Sequence, residues 1–126
     1  MQQALIYKYV EGIVDIVEKA VAAVEAGDVC ALGAQMTHAQ HLFDANCLPN
    51  CPSELTSPRL HTLINDAMLN ELCVAVKGVG SQGDGSAQLL CRTPELQQQV
   101  RVCDANRVGS CLFAASSVLL TSYCIT

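Results

Sequence analysis

Leu72-Cys73-Val74-Ala75-Val76-Lys77-Gly78-Val79-Gly80-Ser81-Gln82-Gly83-Asp84-Gly85-Ser86-Ala87-Gln88-Leu89-Leu90-Cys91 is the stretch on which the fold turns. Leu72 to Val79 is short, apolar and rich in valine, and a second apolar run, Ser86 to Cys91, follows a bend holding four glycines, Gly78, Gly80, Gly83 and Gly85. Two such runs around a tight glycine loop predict a hairpin-like antiparallel pair. Glycine clustering serves either positive φ in a turn or close approach of backbone to a ligand. Successive N–H groups in such a bend can also form an anion-binding nest. Both a plain turn and a nest fit these residues. The nest requires the loop's amide hydrogens to face an open cleft.

Upstream the period is helical. Ile6, Val10, Ile13, Val17, Ala20 and Val24 recur at three- and four-residue steps, with Glu11, Asp15, Glu18, Lys19 and Glu25 on other faces. That pattern is an amphipathic helix. Gly27 ends it by taking the left-handed conformation, and Asp28 can cap a second helix whose apolar face is Val29, Leu32, Met36, Ala39 and Phe43. Leu48 to Pro58, with Pro49, Pro52 and Pro58, reads as an ordered loop. Ser57-Pro58 then reads as a helix start in which the serine caps and the proline fits the first turn. A third helix of about twelve residues should bury Leu60, Leu63, Ile64, Ala67 and Met68.

Downstream of the hairpin, Thr93-Pro94-Glu95 repeats the cap-then-proline signature, and a fourth helix carries Leu96, Val100 and Cys103 until Gly109. Cys111 to Leu120 is expected as a third strand, although periodicity alone also allows a buried helix. The order α-α-α-β-β-α-β does not alternate as a doubly wound sheet does. It predicts a single α+β domain over 1–126, with helices packed on one face of a small antiparallel sheet.

Composition narrows the function. The chain has 126 residues, a length suited to one domain, and its 51% hydrophobic and 15% charged content exclude disorder. Twelve acidic against seven basic residues, a formal charge of −5, disfavour nucleic acid and an anionic membrane surface as partners. A small molecule or another protein is the expected partner. The apolar stretch from Cys111 to Ile125 is interrupted by Ser116, Ser117, Thr121 and Ser122 and is shorter than a span requires. Met1-Gln2-Gln3-Ala4 has no basic leader region, and Cys30, Cys73, Cys91 and Cys103 fall on apolar faces, so a cytoplasmic, reduced chain is expected.

The run Lys77-Gly78-Val79-Gly80-Ser81-Gln82-Gly83-Asp84-Gly85-Ser86 resembles the third motif of the GHMP-type small-molecule kinases (galactokinase, homoserine kinase, mevalonate kinase, phosphomevalonate kinase). Ala26-Gly27-Asp28 followed by Leu32-Gly33-Ala34-Gln35-Met36 resembles that family's helix pair, and Leu55-Thr56-Ser57-Pro58-Arg59-Leu60 its serine-proline helix start. The similarity runs from about residue 5 to about residue 100 and covers the C-terminal, acceptor-side half of such an enzyme. It implies a ferredoxin-like domain whose glycine loop closes near the transferred phosphate and the acceptor, a sugar or a mevalonate-like acid. On this reading Lys77, Gly80, Ser81, Gly83, Asp84 and Gly85 form the substrate- and phosphate-proximal loop, and Glu54, Thr56 and Ser57 either touch the acceptor or serve as caps. Gln82 and Asp84 stand where the family usually has glycine. Asp84 either places a charge toward Mg²⁺ or a sugar hydroxyl or forms the turn itself.

The family binds Mg-ATP on a separate N-terminal domain whose Gly-Leu-x-Ser-Ser-type loop does not occur here; Ala114-Ala115-Ser116-Ser117 lacks its proline and glycine. The P-loop signature is missing as well. The chain alone is therefore expected to bind no cofactor and to phosphorylate nothing. Its expected partners are the acceptor and either an N-terminal kinase domain or a second copy met through an exposed apolar face. The alternative function is a non-catalytic interaction domain that retains the fold. His38, His41, Cys47 and Cys51 are open to three readings: a zinc set, a local Cys47–Cys51 disulfide, or unconnected residues. Cys51 is the one candidate thiol nucleophile, and His61, beside Arg59, is expected at the surface.

Overall fold

Gly27 and Asp28 reverse the chain between two long helices, α1 (Gln2–Glu25) and α2 (Val29–Asn46). Gly27 has φ +67°, and the Asp28 carboxylate accepts the Ala31 N–H at 2.9 Å, as the sequence predicts for this junction. The computed structural model describes residues 2–80, 83–105, 111–114 and 120–124, with side chains described only as far as 101. One face of α1 buries Ile16 and Ala23 and sets Tyr9 edge-on against Phe43 of α2, ring centroids 5.9 Å apart. The neighbouring face leaves Ile6, Val10, Val14, Val17, Val21 and Val24 exposed.

A single 3₁₀ turn, Leu48–Asn50, leads to three short helices: α3 (Pro52–Leu55), α4 (Pro58–Ile64) and α5 (Ala67–Leu72). The predicted third helix is thus two. Asn65 turns its side chain back to the His61 carbonyl at 2.8 Å, and Asp66, with non-helical φ −69° and ψ 122°, accepts the Leu69 N–H at 3.0 Å. Short polar side chains offer the backbone such bonds in competition with the helix, and two in a row end one helix and start the next.

β1 (Cys73–Gly78) and β2 (Ser86–Cys91) pair antiparallel, with Val76 opposite Leu89 and Gly78 opposite Ala87. α6 (Pro94–Ala105) follows, its first turn capped by the Thr93 hydroxyl, which accepts the Leu96 N–H at 3.2 Å. The expected third strand is also two, β3 (Cys111–Ala114) and β4 (Leu120–Cys124); the stretch 115–119 lies outside the described residues, as does Gly109. The sheet is wholly antiparallel in the order β1-β2-β4-β3, so the domain is α+β.

At β1 and β2 the sheet is covered on both faces, where one covered face was expected. Leu60, Leu69, Cys73, Val76, Ala87, Leu89, Cys91 and Val100 form the core beneath α4, α5 and α6. Ala75 and Leu90 point the other way, into a second cluster with Met36 of α2. Side chains alternate across a strand, so unbroken apolar runs such as Val74 to Val76 and Leu89 to Leu90 need cover on both sides. Gly33 admits the contact of α2 with β1, because a Cβ there would overlap Val74 Cγ1 and lie 3.1 Å from Val74 Cβ. Gly33→Ala is expected to cost about 1–3 kcal/mol, since the branched, stiff Val74 cannot step aside. Gly12→Ala meets only the flexible end of Leu42 and should cost less; urea unfolding of the two variants compares them. Among the described residues no helix is long and apolar enough to cross a membrane.

Candidate functional site

The loop between β1 and β2 is fastened to the start of α4 by Asp84. Its carboxylate accepts the Leu60 N–H at 2.9 Å and the Arg59 N–H at 3.3 Å, so the cap of α4 comes from 24 and 25 residues downstream. The expected Ser57 cap is absent. Ser57 has φ +46°, outside the extended geometry from which a serine reaches the first amides of its own helix, and it is 3% exposed. Its hydroxyl instead accepts the Asp84 N–H at 3.3 Å and donates to the Leu55 carbonyl at 3.4 Å. Gly80 (φ +60°), Gly83 (φ +48°) and Asp84 (φ +57°) all take the left-handed conformation, and aspartate is among the few residues other than glycine that do so readily. Asp84 is therefore the turn-former of the two readings, with its charge spent on backbone amides. Ser81 and Gln82 lie outside the described residues.

The entrance of the loop is held from α2. The Gly78 N–H donates to Gln40 Oε1 at 2.8 Å, and Gln40, itself 2% exposed, donates through Nε2 to Asp44 Oδ1 at 3.0 Å. Asp44 Oδ2 meets His61 Nε2 at 3.0 Å, and His61 Nδ1 meets the Ser57 carbonyl at 3.0 Å. His61, with its side chain 30% exposed, is thus a half-buried bridge between α2 and α4, where a surface residue was expected. Burial pulls its pKa down, but the bonds to Asp44 and to the Ser57 and Thr56 carbonyls, with the Asp44 charge, prevail and hold it above the ordinary histidine value. Gln40 and Asp44 escaped the sequence reading. Their one local signal is the i, i+4 spacing of an amide and a carboxylate beginning one turn beyond the core residue Met36.

Three loop amides therefore have partners inside the molecule: Gly78 with Gln40, Val79 with the Ser86 carbonyl at 3.3 Å, and Asp84 with Ser57. The expectation of amides open to a cleft fails at these three, and a nest could draw only on the others. Lys77 is half-buried and donates to the Gly78 carbonyl; burial pushes its pKa below the ordinary lysine value. Glu54 is exposed on α3, and its carbonyl lies 3.6 Å from where a Gly83 Cβ would stand, so α3 flanks the loop. Thr56 gives its hydroxyl to the Pro52 carbonyl. Glu54, Ser57 and the loop are thus neighbours, with Thr56 and Ser57 already bonded to their own chain.

The remaining candidates do not assemble. His38, His41 and Cys51 are exposed, and no group of three metal-ligating side chains is found among the described residues. Cys30, Cys47, Cys51 and Cys91 are free thiols. Cys73 and Cys91 face one another across β1 and β2 with Sγ atoms 3.8 Å apart in the core.

Fold and loop together define a small α+β domain with a clamped glycine hairpin beside a helix start. No family model, curated protein or solved structure matches this chain.

Proposed function

We propose that the chain is the acceptor-side domain of an ATP-dependent kinase of GHMP type, which phosphorylates a hydroxyl of a small metabolite, a sugar or a mevalonate-like acid, when joined to an ATP-binding half. One observation carries the reading. Two segments of the resemblance, far apart in sequence, meet directly, where Ser57 at the α4 start holds Asp84, and α2, the helix that carries the other, packs on the adjoining strand through Gly33 against Val74 and Gln40 on Gly78. Asp84, a departure from the family's glycine, does not add a free negative charge to a phosphate site, because the Arg59 and Leu60 amides take up its carboxylate. For the same reason Asp84 is not available to Mg²⁺. ATP and its metal belong to the other half. Lys77 and the loop from Gly80 to Gly85 then shape the acceptor side, with the exposed Glu54 on the flanking α3. A ferredoxin-like arrangement of the sheet with α6 belongs to the same proposal.

Mixing or fusing the chain with the N-terminal half of a GHMP kinase is expected to yield phosphorylation that depends on both halves and on ATP, read on a panel of sugars and mevalonate-like acids. Neither half alone should show it. Failure of the halves to associate, or association without turnover on any acceptor, removes the kinase reading.

The exposed apolar face of α1 favours a second reading, an interaction domain that keeps the fold without the chemistry. Val10, Val14, Val17, Val21 and Val24 are each at least half exposed along one side of the helix. Such a contiguous face marks an association surface. Self-association of the chain, together with no turnover when it is joined to an ATP-binding half, supports this reading over the first.

A further inference from the structure

The bonds around the loop form one connected system. Gly78 at the loop entrance hangs on Gln40, Gln40 on Asp44, Asp44 on His61 and His61 on the Ser57 carbonyl, while the Ser57 hydroxyl takes the N–H of Asp84 at the loop exit. Both ends of the glycine loop are therefore referred to one imidazole. Each ring nitrogen of His61 faces an acceptor at 3.0 Å, a carboxylate oxygen on one side and a carbonyl oxygen on the other. A neutral imidazole carries one N–H and can satisfy one of them; the imidazolium carries two and satisfies both. From this geometry we infer that His61 is a proton-dependent positioning residue for the glycine loop: protonated, it ties both loop ends to the frame of α2 and α4, and on losing its proton it releases one of the ties.

The groups around it allow this. From α2, Asp44 is the ionisable group in contact, and His41, one turn before it, is exposed. From the loop, the Asp84 carboxylate is engaged by the Leu60 and Arg59 amides. From its own helix, His61 meets the Ser57 carbonyl, which also accepts the His61 N–H at 3.1 Å, and Arg59 is exposed. The direction of the His61 shift agrees, because an ion pair and two donated bonds favour the charged ring.

The sign of the stability effect follows. The folded pKa lies above the unfolded one, so the contribution of His61 is fully present below the unfolded value of about 6.5 and is lost as pH rises through the folded value.

The inference concerns the regulation of the proposed phosphate-side loop but is tested without any kinase activity. NMR of the full chain between pH 5 and 9 follows the His61 ring together with the Gly78 and Asp84 amides. All three are expected to titrate with one midpoint above the ordinary histidine value. Hydrogen exchange, corrected for its intrinsic pH dependence, should accelerate about tenfold at Gly78 or Asp84 above that midpoint, the scale of one bond to a charged group. Asp44→Asn is expected to lower the midpoint, and His61→Gln to abolish the amide titration. Loop amides that stay still while His61 titrates overturn the inference, as does a His61 midpoint at the ordinary value. Because the wild-type chain carries the decisive readout, a variant that fails to fold does not blunt the test.

Discussion

Leu60→Ala is expected to lower the stability of the chain by about 2–5 kcal/mol, the largest effect of any single truncation near the site. Leu60 is fully buried and packs in the core with Leu69, Val76, Leu89 and Val100. Removing its branched end leaves a void that α4 can fill only by moving, and α4 is pinned at its first turn by Asp84. A domain of this size has about 5–15 kcal/mol in all, so the variant should lie near the edge of folding. Urea or thermal unfolding measures the loss. Val17→Ala, at a position 53% exposed on α1, serves as the control and should change stability by no more than about 0.5 kcal/mol. Equal stability of the two variants contradicts the docking of α4 on the sheet.

Local chemistry made much of the fold legible before any coordinates. The left-handed Gly27 and the Asp28 cap act within three residues, as do Thr93 and Leu96, so a linear reading finds them. The hairpin was equally legible, because two apolar runs around a glycine loop leave the chain little else to do. What the reading missed was decided at a distance. Ser57-Pro58 has the composition of a capped start, yet the cap is a carboxylate whose position follows only once β1 and β2 have paired. His61 reads as a surface residue beside Arg59 until the fold places Asp44 of α2 3.0 Å from its ring. The single predicted helix over the segment from Leu60 to Met68 failed for a local reason that was legible, since Asn65 and Asp66 together are a stop and a start. The second covered face of the sheet was legible too, in apolar runs too continuous for an alternating strand.

Replacing Asp84 separates its two roles, and the order of three variants is the prediction. Asp84→Ala removes the acceptor for both the Leu60 and Arg59 amides and puts an ordinary side chain at φ +57°. Losing a helix cap costs about 0.5–2 kcal/mol, and left-handed backbone adds about 1–2 for a residue without glycine's or aspartate's tolerance, so a total of about 2–4 kcal/mol is expected. Asp84→Gly accepts the positive φ freely but still loses the cap, and should fall between alanine and wild type. Asp84→Asn keeps a carbonyl oxygen for the Leu60 amide and tolerates the left-handed region, so it should cost least. Denaturant unfolding ranks them, and the Leu60 amide shift reports whether the cap survives in each. The glycine variant is the informative one, since it leaves the left-handed backbone unstrained and removes the carboxylate. If it proves as stable as wild type with an unchanged Leu60 amide, the carboxylate is no cap and the loop is held by Ser57 and Gln40 alone. If it loses stability as expected, Asp84 is a structural clamp that fixes the loop to the start of α4 through its carboxylate.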